Sequence, residues 1–148
     1  MDGVGNIVHL LVVEDDANDV MFLKRAFDRL GIACQLSFAI DGEEAIDFLS
    51  SASTSTSRER DPAPTHVLLD LKLPRTSGLE VLKWIRGHPQ LSGLPVVVFT
   101  SSQQASDVDA ALKLGVDSFR VKPVNFGNHL KIVEDIARSW GLVSPRDR

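Results

Sequence analysis

A single cysteine, Cys34, stands among the 148 residues. That excludes an internal disulfide. Its place in an apolar run makes it a buried, inert thiol, and a reducing cytoplasm fits. Long basic runs are missing, and the net charge is −4. Both argue against a large nucleic-acid footprint and against a patch for a membrane surface. No apolar stretch approaches the roughly 20 residues of a membrane span. The N-terminus, MDGVGNIVHL, lacks the basic n-region and the small-residue cleavage site of a secretion signal. His9, His66, His88 and His129 are scattered with no metal-ligand spacing, which speaks against zinc.

What is present is enough for a core. Hydrophobic residues make up 43% and charged residues 24%, a soluble composition of about one domain. Five short β-like runs alternate with five helix-like runs. The strands are read at 7–13, 33–39, 65–70, 94–101 and 117–122. VVVF within 94–101 is the most strongly β-branched and is expected to be central. Helices are read from Ala17 to Gly31, at 42–49, 77–87 and 105–115, and from about Phe126 to Trp140. Val20, Leu23, Phe27 and Leu30 fall on one stripe of the first, and Leu130, Val133, Ala137 and Trp140 on one of the last. Asp16, with Asp19 three residues on, resembles a capping box. Trp84 and Trp140 read as packing residues, and Arg120 as either a solvated edge charge or an interface residue. The Ser/Thr-rich stretch 50–64 reads as a flexible loop inside one domain, because the alternation resumes directly after it. Residues 141–148 read as a frayed tail.

Strands alternating with helices over one short chain imply an open, mostly parallel sheet with helices on both faces. In such sheets ligands bind at the carboxyl ends of the strands. The first strand leaves Glu14 and Asp15 there. The third leaves Asp70, the fourth Thr100 and then Ser101, and the fifth Lys122 and then Pro123. Acids at strand ends are common, but three acids, a hydroxyl and an amine at one sheet edge form a specific set. Carboxylates about 4 Å apart repel by roughly 4 kcal/mol at an effective dielectric of about 20, so the cluster wants a cation. All-oxygen ligands suit a hard ion such as Mg²⁺. That ion and the Lys122 ammonium would make a pocket for a phosphoryl group, with Asp70 as the in-line nucleophile that forms an acyl phosphate.

The motifs LLVVEDD, LLDLKLPRTSG, VVVFTSS and FRVKP, in that order, resemble those of the response-regulator receiver domain of two-component signalling. The resemblance covers about residues 8–138. It implies a doubly wound (βα)₅ flavodoxin-like fold with strand order 2-1-3-4-5, and one receiver domain over 1–148. By position, Asp70 matches the phospho-accepting aspartate, and Asp15 and Glu14 match the Mg²⁺-binding acids. The Lys72 backbone carbonyl matches a third protein ligand. Thr100 matches the switch hydroxyl, with Ser101 beside it. Lys122 matches the amine and Phe119 the switch aromatic. The bond before Pro123 is expected to be cis. Glu14 stands where Asp is more usual, and Phe119 where Tyr is frequent.

The long 50–64 loop and the Trp near the C-terminus are similar to features of stand-alone regulators paired with bacterial phytochrome kinases. The expected partners are therefore a sensor histidine kinase, of phytochrome type on this likeness, and a downstream protein target or phosphotransfer protein. A homodimer through the fourth helix, fifth strand and fifth helix is a further expectation. With about eight residues after the last helix, no DNA-binding domain is expected. Catalysis is limited to self-phosphorylation and self-dephosphorylation. The Lys72 side chain is expected to pair with Glu14 at rest and to shield the phosphoryl group from water; a solvated lysine without a kinetic role is the alternative. Other functions stay open at this stage. An aspartyl-phosphate phosphatase would want Asp-x-Asp, but Lys72 holds the second position. A flavodoxin-like nucleotide or flavin module would want a phosphate-cradling loop where EDDAND stands. A receiver-like docking module without chemistry would not need all these groups.

Overall fold

The strands are four or five residues long, too short for helices, and the three central ones are built mostly of leucine, valine and other apolar residues. The computed structural model describes residues 8–54 and 63–142. The elements in chain order are β1 (His9–Val13), α1 (Ala17–Arg29), β2 (Gln35–Ala39), α2 (Gly42–Thr54), β3 (His66–Leu69), α3 (Gly78–Gly87), β4 (Val96–Thr100), α4 (Ala105–Lys113), β5 (Ser118–Val121) and α5 (Phe126–Ser139). The sheet order is β2-β1-β3-β4-β5, and every pairing is parallel. The alternation predicts the open parallel sheet with helices on both faces, and the doubly wound flavodoxin-like order 2-1-3-4-5 is the one that the family resemblance implies.

Side chains alternate across the sheet and build a core on each face. Leu11, Val13, Val67, Leu69, Val96 and Val98 pack with residues of α2, α3 and α4. Leu10, Val12, Leu68, Val97 and Phe99 pack with residues of α1 and α5. β1 and β4 are buried at every position, as fits strands covered on both faces. β5, at the sheet edge, is half-buried over Ser118–Arg120 and exposed at Val121. Trp84 and Trp140 pack against opposite cores, as expected. Arg120 makes a surface ion pair at 3.4 Å to Asp135 on α5. No helix among the described residues is long and apolar enough to cross a membrane.

Three expectations shift. Ser50–Thr54, read as loop, continue α2. Once a helix is nucleated, each added residue fixes only its own dihedrals for one more hydrogen bond, so polar residues can extend it. Residues 55–62 of the expected loop lie outside the described residues, as do 143–148 of the tail. Gly141 and Leu142 are tied down rather than frayed: their amides donate to the carbonyls of Arg138 and Ala137 at 3.0 and 2.8 Å. Cys34 is half-buried rather than buried, and burial still raises its thiol pKa.

One glycine is required where the chain returns on itself beneath the strand ends. Gly78 begins α3, and its amide donates to the Leu71 carbonyl at 3.1 Å. A Cβ there would collide with the Asp70 carbonyl oxygen and the Leu71 Cα. Ser77 and Glu80 form a reciprocal capping box that starts the helix at this point. The segment after Asp70 is thus held close against its own strand.

Candidate functional site

Parallel register decides which strand ends meet. Val13 pairs with Leu69, so the residues that follow, Glu14 and Asp70, emerge side by side. The Asp70 amide donates to the Val13 carbonyl at 3.1 Å, and the Glu14 amide to the Ala39 carbonyl at 2.9 Å. Across the sheet, Thr100 pairs with Val121. The Lys122 amide donates to the Thr100 carbonyl at 2.8 Å, which sends its side chain out from the same edge.

The Lys122 ammonium lies at the centre of the acids. Its Nζ donates to Glu14 Oε1 at 2.6 Å, to Asp19 Oδ2 at 2.7 Å and to Asp70 Oδ2 at 2.9 Å. An ammonium has three donors, and here each finds a carboxylate. Glu14 and Asp70 are 3% and 5% exposed. Asp15 is exposed at the mouth. Burial pushes the Glu14 carboxyl up to about 7, with the Asp70 charge adding to this and Lys122 pulling it down. Burial by itself would lower the Lys122 ammonium, but the bonds from Asp19 and Glu14 and the charge of Asp70 outweigh it and raise its pKa.

Four carboxylates against one ammonium leave the pocket electronegative. Glu14, Asp15 and Asp70 each offer an oxygen, all within 4.8 Å of one another. An all-oxygen donor set of this kind fits a hard divalent cation, which uses one or two carboxylates and keeps several waters. The remaining Asp70 oxygen, Oδ1, accepts from the Lys72 amide at 3.1 Å, which fixes the carboxylate's rotation.

The other expected residues take varied places. Thr100 is fully buried, and its Oγ1 accepts from the Ser102 amide at 3.3 Å. Phe119 is half-buried against the α2–α4 core. Ser101 is exposed, whereas its neighbour Ser102 is buried and donates to Asp107 Oδ2 on α4 at 2.6 Å. The expected Lys72–Glu14 pair is not made. Lys122 holds one Glu14 oxygen and the Asp16 amide holds the other at 3.0 Å. The Lys72 side chain is exposed.

The expected cis bond before Pro123 is also corrected: no cis peptide occurs among the described residues. Trans is the lower-energy isomer of an X–Pro bond by about 0.5–1 kcal/mol, and Lys122 reaches all three carboxylates from it.

Asp19 is the site residue that sequence reasoning missed. Asp16 does cap α1, accepting from the amides of Asn18 and Asp19 at 2.8 and 3.2 Å. The reciprocal half of the expected capping box cannot form, because Glu14 already holds the Asp16 amide. The Asp19 carboxylate turns to Lys122 instead. A signal was there: Asp19 is the acid in the first turn of α1, the helix that starts directly after Glu14 and Asp15. A second missed pair flanks the site. Asp41 caps α2 by accepting from the Glu44 amide at 2.8 Å, and its other oxygen holds Arg75 of the β3–α3 loop. Arg75 has φ 64°, a left-handed conformation uncommon outside glycine.

Comparison with known proteins agrees with this fold. The family model of the response regulator receiver domain matches residues 10–134. A probable methanogenesis regulatory protein, FilR2 of Methanothrix harundinacea, is 36% identical over 88% of this chain and 82% of its own length. Response regulator Rcp1 of Synechocystis is 34% identical over 88% of this chain and 87% of its own. The crystal structure of the Mn²⁺-bound form of Rcp1 superposes with a TM-score of 0.79, covering 90% of this chain and 94% of that one. The phosphorylated cyanobacterial phytochrome response regulator RcpA, 28% identical, superposes with a TM-score of 0.81 over 91% of this chain and 94% of its own.

Proposed function

The chain belongs to the response regulator receiver domain family, and on that premise we propose that it is a switch phosphorylated on Asp70 by a sensor histidine kinase. The observation that carries this reading is the Asp70 carboxylate itself. It is nearly buried at a strand end, 2.9 Å from the Lys122 ammonium, and converges with Glu14 and Asp15. An Asp70 oxygen attacks phosphorus in line, and the P–O bond forms as the P–N bond of the kinase phosphohistidine breaks. The electron pair of that bond leaves on the imidazole. The transfer needs alignment and charge compensation more than covalent chemistry from the protein. Lys122 supplies positive charge beside the attacking oxygen. The Lys72 amide holds the other oxygen and so orients the carboxylate.

Glu14, Asp15 and Asp70, with the Lys72 carbonyl, would hold Mg²⁺, which supplies charge neutralisation for the phosphoryl oxygens. Relatives support both halves of this reading, one as a Mn²⁺-bound form and one as a phosphorylated form. Ser101 and the buried Thr100 hydroxyl would meet the phosphoryl group, and Phe119 would follow Thr100, biasing the surface of α4, β5 and α5. The likeness to a phytochrome response regulator makes a photoreceptor kinase the proposed donor. A cytoplasmic single receiver domain that signals to a downstream protein or phosphotransfer protein, with a homodimer as one form, completes the proposal.

The test is incubation with Mg²⁺ and a small acyl-phosphate donor, read by intact mass. Wild type is expected to gain one phosphoryl group. Asp70→Asn, isosteric but not nucleophilic, is expected to gain none while keeping its fold. Equal labelling of the variant would reject Asp70.

A further inference from the structure

We propose that Asp19 is a positioning residue that retains the Lys122 ammonium when a divalent cation claims the other carboxylates of the site. The inference rests on the metal-binding part of the function proposed above. Lys122 touches three acids, at 2.6, 2.7 and 2.9 Å. Two of them, Glu14 and Asp70, belong to the group whose oxygens converge within 4.8 Å, and Asp19 does not. Cation and ammonium therefore compete for Glu14 and Asp70. Like charges about 4 Å apart repel by roughly 4 kcal/mol at an effective dielectric of about 20, so both cannot keep the same oxygens cheaply.

The Lys122 side chain is only 10% exposed. Stripped of Glu14 and Asp70, it would become a largely desolvated, unpaired charge, the costly outcome when one partner of a buried pair is lost. Asp19 prevents that. Its carboxylate is not needed to cap α1, because the Asp16 amide donates to Glu14. It sits on a helix rather than on a strand end, so it can hold the ammonium beside Asp70 without being a member of the convergent group. By this account Asp19 raises cation affinity by giving Lys122 somewhere to go, and it keeps the amine in reach of the incoming phosphoryl group.

Mn²⁺ alone is the probe, with free Mn²⁺ measured by electron paramagnetic resonance in titrations of the full chain. Asp19→Asn is expected to weaken Mn²⁺ binding by about fivefold or more, the lower end of typical site–site couplings. Asp19→Ser gives the same measurement if the amide variant does not fold. In a Lys122→Met background the Asp19 substitution is expected to change affinity little, because no ammonium remains to be housed. An unchanged affinity in the single variant overturns the inference alone. A loss just as large in the Lys122→Met background also overturns it, since Asp19 would then act on the cation only by its charge. Wild type that binds no Mn²⁺ overturns the metal reading and this inference with it.

Discussion

At the scale of single residues, the site is governed by competition for carboxylate oxygens. Glu14 illustrates it: one oxygen accepts from Lys122 and the other from the Asp16 amide, and Lys72 pairs with neither. The Lys72 side chain lies exposed at the surface. The Lys72 backbone is nonetheless fixed beside Asp70 by the bond from its amide to that carboxylate. On the proposed function, the side chain would reach over the phosphoryl group and crowd the water that hydrolysis needs in line. Lys72→Ala is expected to speed autodephosphorylation severalfold and to leave folding stability nearly unchanged, as an exposed ammonium contributes only about 0–1 kcal/mol. First-order loss of acid-labile phosphate in excess Mg²⁺ measures it, and an unchanged or slower rate leaves Lys72 as surface charge.

At the scale of elements, Arg86 joins α3 to the far end of the sheet. Its guanidinium donates to the carbonyls of Leu114 and Gly115, just past α4, at 2.7 and 2.9 Å. It also donates to those of Ser92 and Leu94, in the segment leading into β4, at 3.1 and 2.7 Å. Four main-chain carbonyls thus depend on one planar fork, a geometry lysine cannot copy. Hydrogen bonds to charged groups are worth roughly 1.5–3 kcal/mol each, and they are not additive around one side chain. Arg86→Ala is expected to cost about 2–4 kcal/mol in urea unfolding, near the upper range for single substitutions. Divalent-cation affinity should hardly move, because these carbonyls precede β4 and β5 whereas the acids follow the strands. A loss of under about 0.5 kcal/mol, the level of an ordinary surface change, would mean that the clamp carries no stability.

At the scale of the whole molecule, pH dependence follows from groups that change protonation on folding. His129 on α5 is 1% exposed, with its ring against Phe22 and Phe99 and neither ring nitrogen hydrogen-bonded among the described residues. Burial lowers its pKa; Asp19 opposes this and Lys122 reinforces it. His66 is lowered by burial too, against Asp117. A histidine lowered in the folded state binds fewer protons there than in the unfolded chain. Its contribution is therefore complete above the ordinary value of about 6.5 and is lost as pH falls below it. Glu14, raised to about 7, has the opposite sign and adds stability as pH falls from that value. The difference between wild type and His129→Leu cancels Glu14 and His66. Wild type is expected to lose stability relative to the variant progressively below about pH 6.5, read by urea unfolding at a series of pH values. Parallel curves would show that His129 carries no such linkage.

Strand-length apolar runs and helical stripes determined the layered fold, because period-two and 3.6-residue patterns are local properties that leave little choice of layers. Strand ends likewise exposed Glu14, Asp15, Asp70 and Lys122 as candidates, since the carboxyl edge of a parallel sheet is where such folds put ligands. The sequence could not decide how those groups share one another. Asp19 read as half of a local capping box, and only the reach of the Lys122 side chain along the sheet edge paired it with that residue, 103 positions away. Lys72 read as a partner for Glu14, but the groups that the fold brings to its two oxygens are the Lys122 ammonium and the Asp16 amide. The Asp41–Arg75 pair, 34 positions apart, was invisible for the same reason. Hydrogen bonds and ion pairs are decided over a few ångströms, and which distant residues come that close is set by register and helix packing, which belong to the tertiary structure alone.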